Sequence, residues 1–360
     1  MSVIELTTFT VKPDRTAEML AARPGMVDAF RRDRRGFLAA RLIRVAEDTW
    51  LDLVEWTDDT AWDESRAKGG NQPEIAAFFA TIDTLVSSER GVRYDDAEDG
   101  RRTVRTIAYG PHPSQVGELY LPEGDGPFPV VVLIHGGFWT AMFDRRQVTP
   151  LADALVGDGY AVWNIEYRRL GEEGGGWPGT FDDIAAAVDQ LDGLDTALDL
   201  TNVQVVGHSA GGQLAAYAAG RTDAKVRLRA AVSISGVLDL VAADADRLGS
   251  ALADPNAPEP AGAPPASNPE FAPVIAANAA DGIPRWLLGG HHDEVPERYA
   301  QVTPPVTVPL LTIHGTTDDI VAAKYAGDPV EIPGANHFDV IDPNHPSWRV
   351  VRDWLAERSA

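Results

Sequence analysis

A small α+β unit followed by a larger, doubly wound α/β domain is the architecture that three features of this 360-residue chain predict. The length favours two domains at about 150 residues each. The first 95 residues read in the order β-α-β-β-α-β, and beyond a charge-rich link short apolar runs alternate with helical segments, the pattern of a parallel sheet covered on both faces.

In the first unit, residues 1–97, Val3 to Val11 reads as a strand, with Val3, Phe9 and Val11 on one side and Ile4 and Leu6 on the other. A helical segment is expected from Arg15 to about Arg32, broken or kinked at Pro24-Gly25. Gly36 to Arg44 and Thr49 to Thr57 form two strands joined by a short polar turn, an antiparallel hairpin. Helical pieces at Asp58 to Ala67 and Pro73 to Val86 then lead to a short extended segment at Val92 to Tyr94. That order is the ferredoxin-like split unit. The link Asp95 to Arg102 is charged and poor in apolar residues, which suits an exposed boundary, placed near residue 98.

The second unit, residues 98–360, carries apolar runs at Pro129 to Gly137, Tyr160 to Tyr167, Asn202 to Ser209, Ala230 to Val237, Pro309 to Gly315 and Pro329 to Ala335. Helices are expected between and after them, at Val148 to Gly157, Phe181 to Leu191, Gly211 to Gly220 and Trp348 to Arg358. Thr180 followed by Asp183 suggests a capping arrangement for the second. Residues 251–279, dense in Ala, Pro, Asn and Gly, depart from the alternation and are expected as a long loop or partly ordered insertion, a surface loop or a cover for a site.

Composition narrows the function. With 44% apolar and 24% charged residues the chain can bury a sizeable core, so whole-chain disorder is excluded. The net charge of -23 repels a phosphate backbone and an anionic lipid surface, so neither nucleic acid nor membrane is an expected partner. The acidity sits mainly in the second unit: the first 95 residues hold 13 basic and 17 acidic side chains, the remainder 18 and 37. Without any cysteine there is no disulfide, thiolate metal site or cysteine nucleophile. The N-terminus lacks a basic segment leading into an apolar one, and no run approaches the ~18 apolar residues of a membrane span, so the cytoplasm is the expected location.

The chemistry is announced by Gly207-His208-Ser209-Ala210-Gly211, set between the strand Val203 to Val206 and an Ala-rich helix. A strand that turns sharply into a helix holds its middle residue in a strained conformation, and small neighbours two positions away on either side prevent collision; the Ser209 hydroxyl is thereby exposed. Serine is a weak nucleophile, so it needs a base, and the base needs an acid to fix its tautomer. Both should follow later in the chain, acid first. Asp318 and Asp319 lie on the loop after the apolar run Pro309 to Gly315, and one of them is the expected acid. His337 lies on a loop before the C-terminal helix and is the expected base. His135 and His314 precede glycines at strand ends and support those turns, while His291, His292 and His345 are the competitors of His337. His135 to Trp139, HGGFW, follows an apolar strand, and its glycines let two backbone N-H groups approach a developing oxyanion, with the N-H of Ala210 as a further donor.

These three motifs, in this order over about 250 residues, resemble those of the α/β-hydrolase superfamily, in particular its kynurenine formamidase (arylformamidase) and small carboxylesterase branch. The resemblance implies an oxyanion hole from the amides of Gly137 and Phe138, assigns the acid, at the fifth position of HGxxD, to Asp318, and assigns the base to His337. Two further stretches, Glu166 to Asp183 and Leu287 to Tyr299, resemble bacterial members without suggesting a chemical role. The first unit resembles more weakly the dimeric α/β-barrel group that includes cofactor-free monooxygenases of antibiotic biosynthesis, which implies a homodimer formed through this unit. Trp50, Trp56, Trp62 and Asn71 supply the residue types that some of those enzymes use.

The expected activity is thus serine-dependent hydrolysis of a small ester or aryl formamide through an acyl-enzyme, with no metal or organic cofactor. Ser209, Asp318 and His337 are catalytic, Gly137, Phe138 and Ala210 hold the oxyanion, and Trp139 and His208 are expected to touch the substrate. Two alternatives stand beside it: a bifunctional protein whose first unit oxidises an aromatic compound that the second hydrolyses, and a non-catalytic binding module on a hydrolase scaffold.

Overall fold

The structure is a computed structural model that describes residues 3–46, 48–92, 103–194, 197–254, 257, 261–264 and 266–359. The chain divides into two compact units, Met1–Glu98 and Asp99–Ala360. The link Asp95 to Arg102 lies outside the described residues.

In the first unit β1 (Val3–Thr10), α1 (Thr16–Asp33), β2 (Phe37–Arg44), β3 (Thr49–Trp56), α2 (Asp59–Lys68), α3 (Pro73–Phe79) and β4 (Thr84–Val92) build an antiparallel sheet of order β2-β3-β1-β4. Alternation along β3 buries Trp50, Asp52, Val54 and Trp56 against a core that includes Phe9, Met19, Met26, Phe30 and Phe78. Two elements differ from the sequence-based expectation. Helix α1 continues through Pro24: the missing N-H frees the carbonyl of Leu20, which sits on the exposed face where water can serve it. The third helix stops at Phe79, and residues from Thr84 onward join the sheet, with Thr84 opposite Thr10 and Leu85 opposite Phe9. Pairing with β1 overrides the helical reading of this stretch.

The second unit comprises β5 (Thr103–Ala108), β6 (Val116–Leu121), β7 (Phe128–Ile134), α4 (Thr149–Gly157), β8 (Ala161–Ile165), α5 (Gly179–Asp189), β9 (Leu198–His208), α6 (Ala210–Gly220), β10 (Ala230–Ile234), α7 (Leu240–Ala245), α8 (Ala272–Asn278), α9 (Ile283–Leu288), α10 (Pro296–Val302), β11 (Leu310–Gly315), β12 (Val330–Ile332) and α11 (Pro346–Ser359). The eight-stranded sheet has the order β12-β11-β10-β9-β7-β8-β6-β5. It is parallel from β12 to β8, and β6 and β5 add an antiparallel edge that no apolar run announces. Residues Val130 to Ile134 are fully buried, alternating between two cores. Val130, Val132 and Ile134 pack on the face with Phe181 and Leu214, from α5 and α6. Val131 and Leu133 pack on the face with Leu151 and Trp348, from α4 and α11. Both faces being dry explains why the strands read as continuous apolar runs.

Thr180 and Asp183 do not cap α5, which begins at Gly179. The Thr180 hydroxyl donates to the carbonyl of Arg168 (2.5 Å) and accepts from the Gly176 N-H (3.0 Å), while Asp183 pairs with Arg168, so both brace the preceding loop. Among the described residues of the insertion, α8 forms a helix, and Asn268 is tied through its side-chain amide to the Ala141 carbonyl (2.9 Å) and through its N-H to that of Met142 (3.1 Å). No helix among the described residues is long and apolar enough to cross a membrane.

Candidate active site

The loops that follow β7, β9, β11 and β12 all leave the carboxyl end of the parallel sheet, where open α/β sheets place their ligand sites. At the end of β9, Ser209 has φ 55° and ψ -120° and begins α6. For a residue with a Cβ this is a strained region, costing on the order of 1–3 kcal/mol. The flanking glycines are required by contact: a Cβ on Gly207 would lie 1.9 Å from the Gly211 carbonyl oxygen, and one on Gly211 2.2 Å from that of Ile134. The Ser209 N-H is fixed to the Ile234 carbonyl (2.8 Å).

After β7, three successive residues take positive φ: Gly137 (108°), Phe138 (56°) and Trp139 (56°). Two of them carry side chains, so the surrounding structure must impose the conformation.

Asp318 and His337 are brought together. The His337 Nδ1 lies 2.6 Å from Asp318 Oδ2, and both side chains are almost completely buried. The other Asp318 oxygen accepts from the N-H groups of Ile320 (3.0 Å) and Val321 (2.9 Å). Burial works against this charge, but the His337 hydrogen bond and the two amides outweigh it and lower the carboxyl to about 2. Asp319, next in the chain, is exposed. The His337 loop is held by its neighbours, since the Asn336 side chain accepts from the N-H groups of Phe338 and Asp339, and Asp339 accepts from that of Asn336. His314 lies 3.5 Å from Asp318 and bonds the Val321 carbonyl (2.8 Å).

Gly137, Phe138, His208, Ser209 and His337 all line one cavity of about 570 Å³. Ala210 is buried directly behind Ser209 at the start of α6. Trp139 lies elsewhere: its side chain turns into the core, where the indole N-H donates to Gln213 Oε1 (3.2 Å), and it does not line the cavity. Sequence reasoning missed Gln147, Met142, Phe143, Ile320 and Phe338, which complete the wall, and the insertion residues Leu252, Pro264 and Ile275. Only the composition of the insertion hinted at such a role. None of the competing histidines lines this cavity: His291 bonds Asp244 (3.0 Å), the His292 ring packs edge-on against Tyr299, and His345 bonds Ser347 (2.7 Å).

His208 faces the cavity but also joins two loops, its Nε2 lying 2.9 Å from the His337 carbonyl oxygen. Complete burial, with His337 close by, lowers its pKa to about 3, so at neutral pH it is an uncharged donor and no second base. An unfolded histidine titrates near 6.5, so between pH 6.5 and about 3 the unfolded chain binds a proton that the folded one refuses. This group's contribution is complete above pH 6.5 and is lost as the pH falls. We expect His208→Gln, which keeps a donor near Nε2, to flatten the pH dependence of the urea unfolding free energy between pH 6.5 and about 4, by up to about 1.4 kcal/mol per pH unit. An unchanged slope would remove the assignment.

The first unit has its own cavity of about 500 Å³, lined in part by Phe9, Met26, Phe30, Val54 and Phe78, with Asp52 at its wall. Asp52 is buried and paired with Arg23. None of Trp50, Trp56, Trp62 and Asn71 lines it: Trp56 packs against Phe30 and Phe37, and Asn71 bonds Asp33 at the surface.

The sheet order, the turn at Ser209 and the loop set above the strand ends define an α/β-hydrolase of the esterase-like class. The chain belongs to the BD-FAE family, whose model matches residues 118–328; residues 2–93 match the model for antibiotic biosynthesis monooxygenases, a ferredoxin-like domain. Among solved structures, a truncated carbohydrate esterase from gut microbiota is 19% identical over 73% of this chain and 98% of its own, with a TM-score of 0.50. Esterase B from Lactobacillus rhamnosis is 20% identical over 83% and 91%, at 0.51. A bifunctional GH43-CE protein of Bacteroides eggerthii is 15% identical over 100% and 53%, at 0.54. At such identities the likeness shows the fold alone. No curated protein matches the chain.

Proposed function

We propose that the second unit is a serine hydrolase that cleaves a small carboxylic ester or an aryl formamide through an acyl-enzyme. The observation that carries this reading is the buried His337–Asp318 pair, 2.6 Å apart, with His337 sharing one cavity with Ser209. With Nδ1 committed to the acid, Nε2 is the nitrogen that takes the Ser209 proton as Oγ attacks the carbonyl carbon. The amides of Gly137, Phe138 and Ala210 receive the oxyanion, and the protonated imidazole returns its proton to the leaving alcohol or amine. Water activated by the same nitrogen then attacks the acyl-enzyme, releasing the acid and restoring Ser209. Every proton is accounted for by side chains of this unit, so the reading calls for no cofactor.

The cavity favours an uncharged acyl or aryl group, because Phe138, Met142, Phe143, Ile275, Ile320 and Phe338 make much of its wall, and about 570 Å³ lies in the range of small-ligand sites. The test is turnover of p-nitrophenyl esters of graded acyl length beside N-formylkynurenine. Ester hydrolysis with Ser209 labelled by a fluorophosphonate is expected; a formamide rate far above every ester rate would assign the formamidase class. No turnover and no label would leave the binding-module reading.

The first unit is read as a dimerisation module. The outer face of its sheet carries Leu6, Leu51 and Leu53, only partly covered, and an exposed Ile43, which pair across neighbouring strands. A sedimenting mass of two chains is expected, and that of one chain would remove this role. Oxidation by this unit has no comparable support, since the four side chains that suggested it are not gathered at its cavity.

A further inference from the structure

The stretch Glu166 to Leu170, EYRRL, lies beside the HGGFW loop and holds it at four points. The Leu170 N-H donates to the Trp139 carbonyl (2.7 Å), and the Ala141 N-H to the Leu170 carbonyl (3.0 Å). The Tyr167 hydroxyl donates to the His135 carbonyl (3.0 Å), and its ring stacks on the His135 imidazole at 4.5 Å and 16°. Finally, Glu166 Oε1 lies 2.7 Å from His135 Nε2. Both side chains of this last pair are buried, and no step of the proposed reaction uses either.

The second ring nitrogen shows what the pair does. His135 Nδ1 lies 2.8 Å from the carbonyl oxygen of Gly136. Both ring nitrogens therefore face oxygens, one of the Glu166 carboxylate and one of the backbone. That carboxylate is further held by the N-H groups of Arg145 (3.1 Å) and Tyr167 (3.2 Å), with Arg169 at 3.4 Å. Burial opposes its charge, yet His135 and Arg169 together keep it below the usual carboxyl range. A peptide unit is planar, and the bond between Gly136 and Gly137 is trans, so its C=O and N-H point in opposite directions. Fixing the Gly136 oxygen on the imidazole thus turns the Gly137 N-H away from that ring. The next peptide is held in the same manner: the Gly137 oxygen accepts from the Thr140 hydroxyl (2.8 Å) and N-H (2.9 Å), which fixes the N-H of Phe138.

We infer that Glu166 and His135 are positioning residues for the reaction, a buried hydrogen-bonded pair that aims the Gly137 amide at the oxyanion by holding the carbonyl at the other end of its peptide. This rests on the serine-hydrolase reading and on the role given there to Gly137. It gives the EYRRL stretch a task and names what braces a glycine-rich loop with three positive φ values.

The test compares wild type, Ser209→Ala, His135→Asn, His135→Gln and Glu166→Gln as full-length proteins, on a p-nitrophenyl ester and with a trifluoromethyl ketone inhibitor, whose carbon bonds the Ser209 oxygen as a hemiketal and whose former carbonyl oxygen occupies the oxyanion site. Asparagine places an amide N-H near the lost Nδ1, whereas glutamine places it near Nε2. His135→Asn is therefore expected to stay within about tenfold of wild type, and His135→Gln to lose about 10²-fold in kcat, the scale of losing one oxyanion donor. KM should stay within about threefold, and ketone affinity should weaken in step with kcat. Glu166→Gln, which keeps the shape and removes the charge, is expected to lose about tenfold in kcat on the same pattern, and it decides the matter if His135→Gln does not fold. Equal kcat in His135→Gln and His135→Asn, or losses confined to KM, would overturn the inference while Ser209→Ala remained inactive. Equal rates in wild type and Ser209→Ala would instead overturn the serine-hydrolase reading, and this inference with it.

Discussion

Replacing Ser209 by Ala is expected to lower kcat on p-nitrophenyl esters by about 10⁴-fold or more while leaving the melting midpoint within a few degrees of wild type. In enzymes that act through a Ser-His-acid unit, loss of the serine alone costs on the order of 10⁶ in kcat, and what remains comes from the oxyanion donors and substrate binding. The same should hold here, because the Gly137, Phe138 and Ala210 amides are backbone groups that the substitution leaves in place. Stability should change little. Alanine keeps a Cβ, so the backbone at φ 55° is neither relieved nor strained further, and the contacts that force the turn belong to Gly207 and Gly211. An activity loss in a fully folded variant therefore reports chemistry. If Ser209→Ala kept more than about a hundredth of the wild-type kcat, the nucleophile would have to be sought elsewhere in the cavity, well outside the 10⁴-fold scale of the argument.

How far the site was legible depends on whether its cause is local. The turn at Ser209 was legible because its glycines are dictated by backbone collisions within five residues and with one neighbouring strand, so the requirement is written in the motif itself. The place of His337 beside Asp318 was legible for a similar reason: a histidine after the last strand has few places to go, and Asn336 and Asp339 brace its loop within three residues. Trp139 was misplaced because its environment is not local. Two consecutive aromatic residues in the left-handed region send their side chains different ways, and the indole N-H finds Gln213, 74 positions along the chain, as its partner. Gln147, which accepts from the Gly136 N-H (2.8 Å) and lines the cavity, left no sequence signal either, since a glutamine before a helix is an ordinary surface residue until the fold sets it against the HGGFW loop.

The fold divides along the same line. Strands buried on both faces announced themselves as apolar runs, whereas β5 and β6, at the antiparallel edge, did not. In the first unit the β-α-β-β-α-β order was legible, but the start of β4 was not, because the exposed Leu85 and Val86 fit a helix as readily as a strand. Pairing with β1 decides between them, and pairing is a long-range property.

The choice between Asp318 and Asp319 leads to the second large effect: Asp318→Asn is expected to lower kcat about 10⁴-fold at neutral pH, and Asp319→Asn to leave it within about twofold. Adjacent aspartates on one loop are alike in sequence, but only Asp318 turns inward, with Oδ1 accepting two backbone amides and Oδ2 facing His337 Nδ1. Asparagine can keep the first pair of bonds through its carbonyl oxygen, so the loop should hold. Its amide group then faces Nδ1 with a donor where the carboxylate offered an acceptor. The imidazole is forced into the tautomer protonated at Nε2, which cannot take the serine proton, and the imidazolium formed during turnover loses its counter-charge. Because the carboxyl stays ionised down to about pH 2, wild-type activity lost on acidification above that point belongs to other groups. The Asp318→Asn defect should accordingly be partly relieved at high pH, where the imidazole is fully neutral and hydroxide competes as base. A pH-kcat profile of the two variants checks this directly: an Asp319→Asn loss equal to that of Asp318→Asn would assign the acid to the exposed neighbour and break the link between the buried pair and catalysis.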